Sequence, residues 1–170
     1  MKVYLISEHT LKTETILNDN VGSEFIRPAI EASQDIYLQE AIGSMLLDKL
    51  YNLIDTNTIK DENNAHYKTL LDDYIIPFLK FKVLAEIVIP ISYKYRNSGV
   101  VQSTGDHYQQ SQMKDAVLVQ SHYDTRATFY HQRLTSYLNA NNHLFPEYRD
   151  VRDSADIRAN ADSYQTNIVL

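Results

Sequence analysis

Two runs of apolar residues, separated by a glycine, constrain the fold of this chain more than any other feature. In the first run the apolar side chains recur every three or four residues, at Phe25, Ile26, Ala29, Ile30, Ile36 and Tyr37. The second run follows Gly43 with the same spacing, at Met45, Leu46, Leu50, Leu53 and Ile54. This spacing places the side chains on one face of an α-helix, and a glycine between two such runs ends the first helix. The sequence therefore predicts two amphipathic helices that pack through their apolar faces.

Helical spacing continues along most of the chain. A third helix is predicted to begin near Asn64, and Pro77 suits the first turn of a further helix over 78–91. That helix is apolar nearly all round, which predicts a place at the centre of a bundle or beneath another subunit. The last strong pattern, over 111–139, predicts a helix of roughly 40 Å, either a long bundle member or a coiled-coil strand. The predicted fold class is an all-α helical bundle with one long C-terminal helix.

Two segments interrupt the helical pattern. Gly99 and Gly105 flank a short β-branched run, Val100 and Val101, which predicts an exposed loop or small hairpin near 97–108. After Pro146 the chain becomes charged and polar. We therefore predict a helical domain over 1–140 and an extended or flexible C-terminal arm over 141–170, which is either a docking arm or an ordinary disordered tail.

The charge is unevenly distributed. The net charge is −6, but residues 1–75 carry 6 basic and 13 acidic side chains, whereas residues 76–140 carry 7 basic and 4 acidic side chains. The two parts either attract each other between neighbouring copies or differ by chance. A negative total disfavours sustained binding to phosphate backbones. The 13 tyrosines suit interfaces, although several are expected in the core.

No pattern of catalytic or metal-binding residues is visible. Cysteine is absent, which excludes disulfides and thiolate chemistry. His122 and His131 are nine residues apart, too far for one metal ion without a third element, and are expected at the surface. Tyr93-Lys94-Tyr95-Arg96 suits either stacking on single-stranded nucleic acid or, as we favour, a basic helix end. We therefore expect no enzyme activity, no metal and no cofactor.

Strings such as Ile26-Arg27-Pro28-Ala29-Ile30 and Ile42-Gly43-Ser44 are more specific than helical spacing alone. They resemble the head–tail connector proteins of tailed bacteriophages, which are adaptor or neck-ring proteins. Similar strings occur in the connector or ring proteins of phages that infect Bacteroides-like hosts, including the crAss-like group. The resemblance is strongest over 25–51, with Ile26-Arg27-Pro28-Ala29-Ile30 followed by Leu38-Gln39, Ile42-Gly43-Ser44 and Leu46-Leu47-Asp48-Lys49-Leu50. It continues through 74–95, Ser98-Gly99-Val100-Val101 and the helix that ends near residue 138.

The resemblance implies a structural virion protein at the head–tail junction, assembled in the host cytoplasm. Such a protein forms a dodecameric ring beneath the portal protein, lets packaged DNA pass without sequence-specific binding, and docks other neck or tail proteins. The predicted interface residues are Tyr95, Val100, Val101, Ile168, Val169 and Leu170. No membrane partner is expected. The alternative is a small helical regulator that binds another protein through the long helix and has no virion role. An enzyme with a site of dispersed carboxylates and histidines has the least support.

Overall fold

The helices follow one another along most of the chain. The computed structural model describes residues 3–96, 99–102, 113–152 and 154–160. Within these residues the helices are α1 (Glu8–Glu14), α2 (Ser23–Ala32), α3 (Gln39–Ile42), α4 (Ser44–Asp55), α5 (Ala65–Leu70), α6 (Ile76–Ser92) and α7 (Met113–Ala140). Ser7 caps α1 by accepting the Thr10 N–H at 3.0 Å. The predicted fold class, an all-α bundle with a long C-terminal helix, is confirmed.

Two π-helical turns join consecutive helices, one inside the first predicted helix and one between two helices that the sequence predicts separately. Ser33–Leu38 connects α2 to α3, and Leu71–Ile75 connects α5 to α6. Pro77 lies in the first turn of α6, as predicted. Because the proline ring crowds the carbonyl four residues earlier, at Asp73, the wider turn directly before it relieves that contact. The chain therefore continues through Pro77 without leaving the helical path.

Gly43 makes the predicted break between α3 and α4. Its backbone lies at φ 81° and ψ 159°, a region that only glycine adopts easily. A Cβ atom at this position would lie 3.0 Å from the Ala159 backbone nitrogen. The glycine thus serves both the turn and the close approach of a distant segment.

Helix α6 lies at the centre of the bundle, one of the two places predicted for it. It packs against α2 on one side and runs antiparallel to α7 on the other. Stacked rings connect this part of the chain to α7. The Phe81 and Tyr130 centroids lie 5.2 Å apart, and those of Tyr137 and Tyr74, which is in the π-helical turn before α6, lie 4.0 Å apart. Several tyrosines are therefore used within the chain, as expected from their number.

A small hairpin follows α6. Strands β1 (Tyr93–Arg96) and β2 (Gly99–Gln102) pair antiparallel, so the predicted hairpin is present but begins a few residues early. Residues 93–96, which we favoured as a helix end, form its first strand instead, because pairing with β2 satisfies their backbone groups. The rest of the predicted loop, 97–98 and 103–108, lies outside the described residues.

The chain turns back on the bundle after α7. Two 3₁₀ turns, Asn142–Leu144 and Pro146–Tyr148, place the Phe145 and Tyr148 side chains in the core. Tyr67 donates its hydroxyl to Glu147 at 2.8 Å. The division at residue 140 stays a prediction, although the first residues beyond it contribute to the same core.

Candidate interaction surfaces

The outward side of α7 carries large apolar side chains that no part of the described chain covers. Leu118 and Phe129 are each 61% exposed and are eleven residues apart, which is three helical turns. On a helix this spacing places them on one line, opposite the buried residues Ala116, Ala127 and Leu134. Val117 and Val119 are also exposed, at about 100° to either side of this line, and Met113 is exposed closer to the buried side. We call the line from Leu118 to Phe129 the outer face of α7.

The hairpin brings three of the predicted interface residues together. Tyr95 is the register partner of Val100, and Lys94 is the partner of Val101, so Tyr95, Val100 and Val101 lie in adjacent positions of one ladder. The other three, Ile168, Val169 and Leu170, lie outside the described residues. The structure thus groups half of the predicted set and says nothing of the rest.

A cleft of about 360 Å³ opens between the α2–α3 helical run, α6 and α7. Its charged centre is Lys82, only 9% exposed although it carries an ammonium group. The Lys82 Nζ lies 2.6 Å from Asp124 Oδ1, 3.7 Å from Glu86 Oε1 and 3.6 Å from the centroid of the Tyr37 ring. Two carboxylates and an aromatic face therefore compensate the buried ammonium. We call this site the Lys82 cleft.

The rest of the Lys82 cleft is partly apolar and partly polar. Its other lining residues are Glu40, Phe78, Ala127, Thr128, His131, Gln132 and Asn160. The His131 ring packs against the Phe78 ring at 5.7 Å between centroids. Neither His131 ring nitrogen has a hydrogen-bond partner within the part of the chain that the structure describes. His131 is thus half-buried, whereas the sequence had placed it at the surface.

Burial shifts the protonation of two groups in the cleft. The pKa of His131 is lowered, chiefly because burial disfavours the imidazolium ion, although the nearby Glu40 carboxylate opposes the shift. The pKa of Tyr37 is raised by burial and by the hydrogen bond that its hydroxyl donates to Glu86. At neutral pH both side chains are therefore uncharged, with His131 able to accept a hydrogen bond.

Sequence reasoning missed the Lys82 cleft because its members lie on three separate helical runs. Lys82 and Asp124 are 42 residues apart, and no local pattern links them. One signal was available. Lys82 interrupts the apolar helix 78–91 at a position where a membrane span or an ordinary core helix would carry an apolar residue. A buried lysine needs a partner, and that need predicts an acidic residue on the helix packed against it.

The C-terminal segment is fastened to the α3–α4 corner. The Ser44 N–H donates to the Ile157 carbonyl at 2.9 Å, and the Ile157 N–H donates to the Ser44 hydroxyl at 2.9 Å. The Asn160 N–H donates to the Glu40 carbonyl at 2.9 Å. Arg152 also pairs with Asp48 at 2.6 Å. Arg152, Ile157 and Asn160 thus lie against the corner, and Asn160 also lines the Lys82 cleft.

Other kinds of site find no support in the described part of the chain. No group of three or more histidine and carboxylate side chains among these residues is placed to hold a metal ion. No helix among them is long and apolar enough to cross a membrane.

These features define a small helical-bundle protein with an uncovered apolar helix face and a polar cleft beside it. The chain belongs to DUF6712, a family of unknown function, whose model matches residues 38–158. The matched part begins before Gly43 and ends just after Ile157, so it contains both residues of the contact between Ser44 and Ile157. No curated protein and no solved structure matches the chain significantly.

Proposed function

We propose that this protein is a structural component of a tailed-phage virion. In this proposal it forms a dodecameric adaptor ring beneath the portal protein, extends the DNA channel and presents a docking surface to other neck or tail proteins. It has no enzyme activity and needs no cofactor. The proposal rests on the resemblance of residues 25–51, 74–95 and the end of α7 to connector proteins.

The outer face of α7 is the structural observation that supports the proposal. In a ring, contact with a neighbouring copy would bury the exposed side chains of Leu118 and Phe129. Ring neighbours meet through two different faces of each subunit, so the outer face needs a complementary surface elsewhere on the chain. The acidic 1–75 part and the basic 76–140 part favour such a pairing. The net charge of −6 suits a channel through which DNA slides.

The hairpin and the C-terminal residues are the proposed contacts with the portal or with a neighbour. Tyr95, Val100 and Val101 lie on the hairpin that follows α6. We expect deletion of residues 163–170 to reduce ring assembly and particle yield. Unchanged assembly after this deletion would remove the C-terminal arm from the proposal and leave the ring itself untouched.

Quantitative mass spectrometry of purified particles tests the proposal. We expect about twelve copies per particle, equal to the copy number of the portal protein measured in the same sample. Absence from intact particles would contradict the virion role. The regulator would then take its place, because the outer face of α7 also suits a single helical partner.

A further inference from the structure

We propose that the Lys82 cleft binds the guanidinium group of an arginine side chain on a partner polypeptide. The cleft is separate from the outer face of α7, and the inference does not depend on the virion role. The charges and the lining of the cleft define the chemistry of the group that enters it.

Neighbouring groups already balance the positive charge of Lys82 at the centre of the cleft. Asp124 lies at 2.6 Å and Glu86 at 3.7 Å from the ammonium, and the Tyr37 ring covers it at 3.6 Å. An incoming anion would meet Asp124 and Glu40 without a free positive charge to bind. The presence of Lys82 therefore does not make this an anion site.

An unpaired carboxylate faces the same opening. Glu40 lines the cleft, and its carboxylate makes no hydrogen bond or ion pair with any residue that the structure describes. The lining carries the carboxylates of Glu40 and Asp124 and the ammonium of Lys82, with His131 uncharged. Its net charge is thus −1, which one entering positive charge balances.

The volume and the lining favour arginine over a bare cation. At roughly 30 Å³ per molecule, about 360 Å³ corresponds to about twelve waters, far more than one ion needs. The apolar part of the lining, which includes the largely buried Phe78 and Ala127, suits the aliphatic stem of an arginine side chain. Glu40, the neutral His131 ring and the Gln132 amide oxygen are acceptors for its five N–H groups. A lysine ammonium is more strongly hydrated, and its compact shape fits these separated hydrogen-bond acceptors less well.

Titration of the full chain with N-acetyl-arginine methylamide tests the inference. The readout is the NMR signals of the His131 ring, identified by their absence from the spectrum of His131→Gln. We expect saturable shifts of these signals. The matched probe is N-acetyl-citrulline methylamide, which has nearly the same shape without the charge, and we expect it to bind at least about tenfold more weakly.

Two variants separate the site from general electrostatics. Glu40→Gln is expected to weaken binding of the arginine probe about tenfold or more, because it removes the charged acceptor. Glu62→Gln removes the same charge at an exposed residue outside the cleft and should leave binding unchanged. The inference is overturned if the His131 signals do not move, if the citrulline probe binds equally, or if Glu40→Gln binds as the wild type does.

Discussion

At Gly43 the backbone conformation and the space around it both require the absence of a side chain. We expect Gly43→Ala to lower the free energy of unfolding by about 1–3 kcal/mol, because alanine is strained at φ 81° and its Cβ would crowd the Ala159 nitrogen. Urea denaturation measures the loss. Gly22→Ala is the matched control, since Gly22 has φ −70° and only the flexible Glu24 side chain would have to move. Equal losses in the two variants would contradict this role of Gly43.

His131 makes stability depend on pH. Because burial lowers its pKa, the unfolded chain takes up a proton near pH 6.5 while the folded chain does not. The contribution of neutral His131 to the free energy of unfolding is therefore fully present above this pH. It is lost as the pH falls through the lowered pKa of the folded state. The charge of Glu40 from α3 opposes the lowering of the His131 pKa, and the charge of Lys82 from α6 assists it.

Unfolding free energies measured between pH 7.5 and pH 5.5 test this expectation. We expect the wild type to lose stability over this range and His131→Gln to lose less, because glutamine does not titrate. His122→Gln, at an exposed position of the same helix, is the matched control. An identical pH dependence of the wild type and His131→Gln would show that His131 is not the group responsible.

At the scale of the element, α7 serves two purposes with its opposite sides. The inner side is expected to carry stability, so Leu134→Ala, at a fully buried position, should cost about 2–5 kcal/mol of unfolding free energy. The outer side is expected to carry assembly. The double variant Leu118→Ser and Phe129→Ser should change stability by less than about 1 kcal/mol, because both side chains are mostly exposed.

The copy number in particles distinguishes the expected role of the outer side of α7 from that of its inner side. We expect the double variant to enter particles at a reduced copy number while its melting temperature stays close to that of the wild type. Incorporation of this variant at the wild-type level would exclude the outer face of α7 as the ring contact.

At the scale of the whole molecule, Ser44 connects the two ends of the family-matched region. Its buried hydroxyl accepts hydrogen bonds from Ile157 N–H at 2.9 Å and from the Gln39 amide at 2.8 Å. Ser44→Ala leaves two donors without this acceptor, and we expect it to cost about 1–3 kcal/mol. Hydrogen exchange at the Ile157 amide should become faster than in the wild type, whereas the amide of Leu134 should be less affected. Unchanged exchange at Ile157 would mean that the fastening does not depend on this hydroxyl.

The local features of the fold could be predicted from the sequence. The three- and four-residue spacing, the Gly43 break and the position of Pro77 each depend on neighbours within a few residues, and the structure confirms them. The short hairpin was also foreseeable, because glycine and β-branched residues favour it within a ten-residue window.

The remaining features depend on contacts between distant residues. Ser44 and Ile157 are 113 residues apart, and the Lys82 cleft joins three helical runs. The π-helical turns gave no signal either, since one extra residue per turn hardly changes an apolar pattern of three and four. His131 was placed at the surface because its burial is caused by Phe78 and by α6, which a pattern within α7 does not contain.

The fastening of residue 157 to residue 44 also bears on how the protein is made. A ribosome adds about 5–20 residues per second, so about 6 to 23 s separate the synthesis of Ser44 from that of Ile157. While α6 has emerged without α7, the side of α6 that packs against α7 has no cover from its own chain. The nascent protein is therefore expected to need a chaperone or a fast partner until α7 has left the exit tunnel.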